Sequence, residues 1–248
     1  GQSWSHGPGH VGAYGHLACW GRPDIRQATY FLCRFQARPS LRHFQLVKRM
    51  LRYLRQTKSL SLVYGTRHFA LDSPLVCQVD SDFIDYDSTT STSGYVFWLY
   101  GCPIACESRK QRATTHNTTE AELIAASLAT KMCTYLRRLL VEDFDLELPR
   151  TPVLEDNQGC IAVTRGGGNH TRLRHLRIAD SYVYAAQTID KVISIQYVRS
   201  QDNVADMFTK APTIDTFVRL RDFLMGDTSY HLTYSSPSSL SAQSKTAE

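Results

Sequence analysis

Apolar positions recur at helical spacings early in the chain, give way to short β-like runs, and end in a mixture of the two. Arg22-Pro23-Asp24 ahead of IRQATYFLCRFQ reads as a helix start with proline near its first turn. Pro39 interrupts, and Ser40 is placed to cap a second helix running to about Thr57. Leu41, Phe44, Val47, Leu51 and Leu54 predict that helix's buried stripe, with Arg42, Lys48, Arg49, Arg52 and Arg55 on the remainder. After Lys58 the texture turns to β: SLSLVYG, LVCQVDSD, TSGYVFWLYG and CPIACES predict strands, and the polar stretch 85–94 a hairpin connection. Thr118 precedes a long helix, with Thr119 and Glu122 spaced as a capping box and Ile124, Leu128, Met132, Leu136 and Leu139 as its stripe. PVLE predicts a strand and Asp156 the start of a helix that Gly166-Gly167-Gly168 breaks. A helix to about Gln187, an alternating strand ISIQYV and a short helix from Asn203 to Lys210 follow. Residues 1–20 show no assignable period, and the Ser-rich 227–248 reads as a disordered tail. From Leu75 onward the order β-β-β-α-β-α-α-β-α predicts an α/β domain, a mixed sheet with helices on its faces.

The 248 residues are 42% hydrophobic and 21% charged, enough for one large or two smaller domains. No apolar run approaches the ~20 residues that span a bilayer, so no membrane partner is expected. The start lacks the pattern of a secretory signal and reads as an internal piece of a longer chain. Among seven cysteines only Cys102 and Cys106 are close, and no second pair completes a zinc set. Reduced thiols in an intracellular compartment are expected. The net charge of +5 is concentrated: residues 22–58 carry ten Lys/Arg against one acid, Asp24. Such a stripe is either a solvated helix face or a footprint for a phosphate backbone.

Four acidic islands decide between these. VCQVDSD holds Asp80, TTEAELIAA Glu122, VLEDNQ Asp156 and NVADMFTK Asp206. Two carboxylates about 4 Å apart repel by roughly 4 kcal/mol at an effective dielectric near 20. Their convergence in one fold is therefore costly unless a hard cation joins them, and Mg²⁺ prefers oxygen ligands. The chemistry this suggests is two-metal hydrolysis of a phosphodiester. Asp82 competes with Asp80 and Glu120 with Glu122. Asp156 is compatible with a helix cap as well as a ligand, and Glu155 should face solvent on the other side of its strand. No GxGxxG or P-loop spacing surrounds the glycine run.

The stretches VDSDFIDYDSTTSTSGYVFWL, SRKQRATTHNTTEAELIAASLATKMCTYLRRLL, LEDNQGCIAV and YVRSQDNVADMFTKAP resemble the ribonuclease H domain of copia-type retrotransposon polyproteins. GRPDIRQATYFLCRF and HFQLVKRMLRYLRQT resemble the segment between polymerase core and ribonuclease H in the same polyproteins. The resemblance implies a ribonuclease H-like, mixed five-stranded sheet flanked by helices, with an N-terminal helical segment. It divides the chain into a helical basic segment (1–60), a ribonuclease H-like domain (61–226) and the tail (227–248).

It also implies that Asp80, Glu122, Asp156 and Asp206 are catalytic and bind two Mg²⁺, or Mn²⁺: one ion on Asp80 and Asp156 with Asp206, the other on Asp80 and Glu122. The implied activity is cleavage of the RNA strand of an RNA–DNA hybrid, beside the polymerase portion of the same polyprotein. A cytoplasmic, virus-like particle setting is implied too. Arg42, Lys48, Arg49, Arg52, Arg55, Arg109, Lys110 and His175 are candidates to grip the hybrid's phosphates. The chain departs from the family at Phe83, where Trp is usual, and at His175-Leu176-Arg177-Ile178-Ala179. No YxDD-like polymerase motif is present. A non-catalytic nucleic-acid-binding remnant is the second reading. Strand transfer of the integrase type, which calls for a final Glu after two Asp, fits the order of acids poorly.

Overall fold

The computed structural model describes residues 7–65, 73–83, 90–166 and 174–226. The expected tail at 227–248 and half of the expected hairpin connection, 85–89, lie outside them. Strands β1 (Leu75–Asp82), β2 (Thr92–Leu99) and β3 (Cys102–Lys110) form an antiparallel meander. β4 (Thr151–Glu155) joins β1 in parallel, and β5 (Ile193–Tyr197) joins β4 in parallel. The sheet order is β3-β2-β1-β4-β5, a mixed five-stranded sheet.

Strand alternation assigns the two faces. Cys77, Val79, Tyr95, Phe97 and Val153 meet α4 (Thr118–Glu142), α5 (Gln158–Gly166) and α6 (Arg174–Tyr184). Val76, Val96, Trp98 and Leu154 meet the 3₁₀ turn Val204–Phe208 and α7 (Ile214–Met225). A third core belongs to α1 (Gly7–Trp20), α2 (Arg26–Cys33) and α3 (Leu41–Gln56), centred on Val11, Tyr14, Leu32, Val47 and Met50. This helical segment touches the sheet domain at specific points. The Lys110 amide donates to the Tyr30 hydroxyl (2.9 Å), Arg26 pairs with Glu107 (3.3 Å), and Tyr53 meets the Phe217 ring edge-on.

Several expectations need correction. α1 had no signal in the sequence, because its glycines and uniform apolarity hide any amphipathic period. The α3 stripe is met at Val47 and Leu54 but shifted elsewhere: Leu41 and Leu51 are exposed, while Met50 is buried and Leu46 and Tyr53 pack beside the core. α4 is shifted likewise: Leu136 is buried as expected, but its companions are Leu123, Ala126, Cys133 and Leu140. Small residues face the sheet there because they let the helix approach closely, whereas Leu128 and Met132 flank the core. The cap of α4 is Asn117, whose side chain accepts from the Glu120 amide (2.9 Å), not Thr118 or Thr119. SLSLVYG forms no strand; Val63 instead bonds the end of α7 through its amide and the Met225 carbonyl (2.9 Å). α7 was not foreseen.

Candidate metal centre

The acids assemble because the central strands β1 and β4 end, and α4 begins, at the same end of the sheet. Asp80 lies near the end of β1, on the same strand face as Gln78, and is 3% exposed. Glu122 opens the second turn of α4 and is 5% exposed, and Asp156 immediately follows β4. One ligand oxygen from each of Asp80, Glu122 and Asp156 lies within 4.8 Å of the other two. Asp206, in the 3₁₀ turn, is 9% exposed and close enough to act electrostatically on Asp80. Asp82 is half-buried, and Glu120 is spent locally: its Oε2 accepts from the His116 amide (2.7 Å).

The turn bearing Asp206 is fastened to β1 by groups that sequence reading missed. Asn203 donates through Nδ2 to the Val79 carbonyl (2.8 Å) and caps the turn by accepting from the Ala205 amide (3.2 Å). Gln78 donates to the Asp202 carbonyl (2.9 Å), and its own oxygen accepts from the Trp98 indole (3.2 Å). The Thr209 hydroxyl sits between Asp80 Oδ2 and the Asp206 carbonyl. Gly94, paired with Asp80 across the strands, lets the turn press against the sheet: a Cβ there would lie 2.7 Å from Thr209 Cγ2 and 2.9 Å from Phe208 Cβ. The available signal was a polar Gln in the middle of an apolar strand.

Electrostatics fit a cation. Burial first, then Asp206 and Asp156, push Asp80 up to about 7, against the Thr209 hydrogen bond and the Lys210 ammonium. Glu122 is raised well above the ordinary range by burial, with Glu155, Asp80 and Asp156 adding to it. Burial also raises Asp206, opposed by its ion pair with Lys210. Glu122 Oε2 is buried with no hydrogen-bond partner. An orphaned buried carboxylate oxygen beside two more carboxylates is an all-oxygen donor set, which suits Mg²⁺ or Mn²⁺.

Glu155 overturns its expectation. It is fully buried, because its strand alternation points it beneath α4 and α5 rather than to solvent. One oxygen accepts from the Asn157 amide (3.0 Å), the other has no partner, and burial lifts its pKa well above the usual range. Asp156 does not cap α5; Asn157 does, accepting from the Cys160 amide (2.9 Å).

The expected phosphate-gripping residues are dispersed. Arg42, Lys48, Arg49, Arg52 and Arg55 are all exposed on α3. Arg22 leaves the basic stripe, buried in an ion pair with Asp24 (2.8 Å), and Tyr53 donates to the same carboxylate (2.6 Å). Arg109 is exposed and Lys110 half-buried, both at the end of β3. His175 lies in the first turn of α6, with its ring outside the described side chains. All seven cysteines are free thiols.

No family profile matches the chain. Over 201 residues it is 31% identical to the retrovirus-related Pol polyprotein from transposon TNT 1-94 of Nicotiana tabacum, covering 81% of this chain and 15% of that protein. It is also 39% identical over 127 residues to the secreted RxLR effector protein 161 of Plasmopara viticola, covering 51% of this chain and 87% of that one. A solved structure of LC11-RNase H1 in complex with an RNA/DNA hybrid aligns with a TM-score of 0.40 at 14% identity, over 54% of this chain and 93% of that one. The chain's homologues, over 81–82% of its length, are retrovirus-related Pol polyproteins from plant transposons. It spans about a seventh of the length of the transposon relatives it matches. Among the described residues no helix is long and apolar enough to cross a membrane.

Proposed function

We infer that this chain cleaves the RNA strand of RNA–DNA hybrids, as the ribonuclease H portion of a transposon's reverse-transcription machinery. The observation that carries this reading is the convergence of Asp80, Glu122 and Asp156, from β1, α4 and the end of β4. Asp80, Glu122, Asp156 and Asp206 would hold two Mg²⁺, with Mn²⁺ as substitute. When bound, such ions supply a hydroxide-like nucleophile at neutral pH and neutralise charge on the departing oxygen. The protein's own part is to keep the carboxylates at fixed positions, since Asp80 and Glu122 are buried on regular elements and Asp206 rides on a turn pinned by Asn203 and Thr209.

The exposed cations of α3 support a path for the hybrid's phosphates, with Arg109 and Lys110 of β3 and His175 of α6 as further contacts. Discrimination of RNA from DNA would rest on contacts to the 2′-hydroxyl. The helical segment 1–60, with its own small core, would adjoin the polymerase portion of the same polyprotein.

The test is cleavage of a labelled hybrid with Mg²⁺, with EDTA as control. Asp156→Asn should abolish EDTA-sensitive RNA fragments while hybrid binding persists. Cutting at the wild-type rate by that variant would refute the site. The exposed basic face of α3, independent of the carboxylates, favours one alternative, a binding module without turnover; the same assay separates it, since it yields no fragments from the unaltered chain.

A further inference from the structure

We propose that Lys210 is an intramolecular counter-ion of the carboxylate cluster, which competes with the divalent cation for Asp206 and so sets how tightly that cation is held. This rests on the metal-dependent reading above. Lys210 Nζ is ion-paired with Asp206 Oδ1, and its backbone amide donates to the Asp206 carbonyl (3.3 Å). An i,i+4 pair of this kind usually involves two exposed side chains and contributes little. Here the acid is 9% exposed and near enough to Asp80 and Asp156 to interact with both electrostatically. Asp80 and Asp82 act on the same ammonium in addition to Asp206. The preceding residue, Thr209, is the one that holds Asp80, so the segment 206–210 delivers an acid, a hydroxyl and a cation to one place.

An Asp206 oxygen bonded to an ammonium is not available to a metal, and an ammonium next to a divalent ion is repelled by it. Use of that Asp206 oxygen by the metal therefore requires Lys210 to leave. Its side chain is 47% exposed, which gives the flexible stem a route into solvent. In the absence of metal the ammonium partly offsets the mutual repulsion of the acids.

The experiment measures Mn²⁺ binding to the full chain without nucleic acid, by calorimetry, for wild type, Lys210→Gln and Lys210→Arg, alongside thermal unfolding in EDTA and in Mn²⁺. Lys210→Gln should bind Mn²⁺ tighter by about fivefold, the factor matching a part-exposed ion pair, and Lys210→Arg should match wild type. In EDTA the Gln variant should melt lower than wild type, and Mn²⁺ should raise its melting temperature by the larger amount. If the Gln variant fails to fold in EDTA, recovery in Mn²⁺ supports the competition and failure to recover overturns it. Equal or weaker Mn²⁺ affinity in Lys210→Gln than in a metal-binding wild type overturns the counter-ion role alone. Absence of Mn²⁺ binding in both proteins overturns the functional reading as well.

Discussion

Replacing Gly94 by Ala should damage the metal centre without touching a carboxylate. Gly94 stands opposite Asp80 on β2, and the Val204–Phe208 turn lies directly over it. An added Cβ would sit 2.7 Å from Thr209 Cγ2, 2.9 Å from Phe208 Cβ and 3.0 Å from the Ala205 carbonyl oxygen. Ordinary contact begins near 3.4 Å, so the turn must retreat by up to about 0.7 Å. A rotamer change cannot absorb that, because the obstacles include a backbone carbonyl and a Cβ, and Asn203 ties the turn to β1. Overpacking of this kind costs about 1–3 kcal/mol, which lowers the melting temperature of a chain this size by roughly 2–10 °C. The retreat carries Thr209 and Asp206 away from Asp80. Misplacement approaching 1 Å in a site of this type costs up to about 10²-fold in rate. Thermal unfolding and single-turnover cleavage of hybrid would be measured together, with Gly12→Ala as control. A Cβ added at Gly12 would meet nothing within 4 Å, and the residue lies inside α1, so Ala there should stabilise by about 0.5–1 kcal/mol. A Gly94→Ala protein with wild-type melting and wild-type cleavage would refute the close approach and the role given to the turn.

Two further outcomes follow from the charges. Asp80, Glu122 and Glu155 all have folded-state pKa values above their ordinary range, so the folded, metal-free protein binds protons that the unfolded chain releases. Their contribution to stability is fully present below the ordinary carboxylate range and is lost as pH rises, through about 7 for Asp80. In EDTA, urea unfolding should thus show greater stability at pH 5 than at pH 8, Mg²⁺ should restore much of the loss at pH 8, and Glu155→Gln should flatten the slope; a metal-free profile rising from pH 5 to 8 would contradict this. Removing the exposed Arg49 and Arg52 together (both →Ala) should weaken hybrid binding and lower the slope of log affinity against log salt by about 2, with melting unchanged. An unaltered salt slope would take α3 out of the phosphate path.

The chain's own residues announced the sheet domain and its acids, because period-2 and helical patterns are local and an acid ending an apolar strand is conspicuous in one dimension. LVCQVDSD, TTEAELIAA and LEDNQ could be placed on β1, α4 and β4 from that alone. Which face each residue took was decided by packing. Leu41 and Leu51 fit the same helical stripe as Val47, yet they are exposed and Met50 joins Val47 in the core with α1 and α2. Glu155 alternates as expected, but what lies on its side of β4 is α4 and α5 rather than water, a fact no local pattern contains. The same holds for the fastening of Asp206: Gln78, Gly94 and Thr209 gain their roles only when residues more than a hundred positions apart come within bonding distance. Local periodicity specifies elements because it depends on neighbours in the chain; burial, hydrogen-bond pairing and the meeting of like charges depend on neighbours in space.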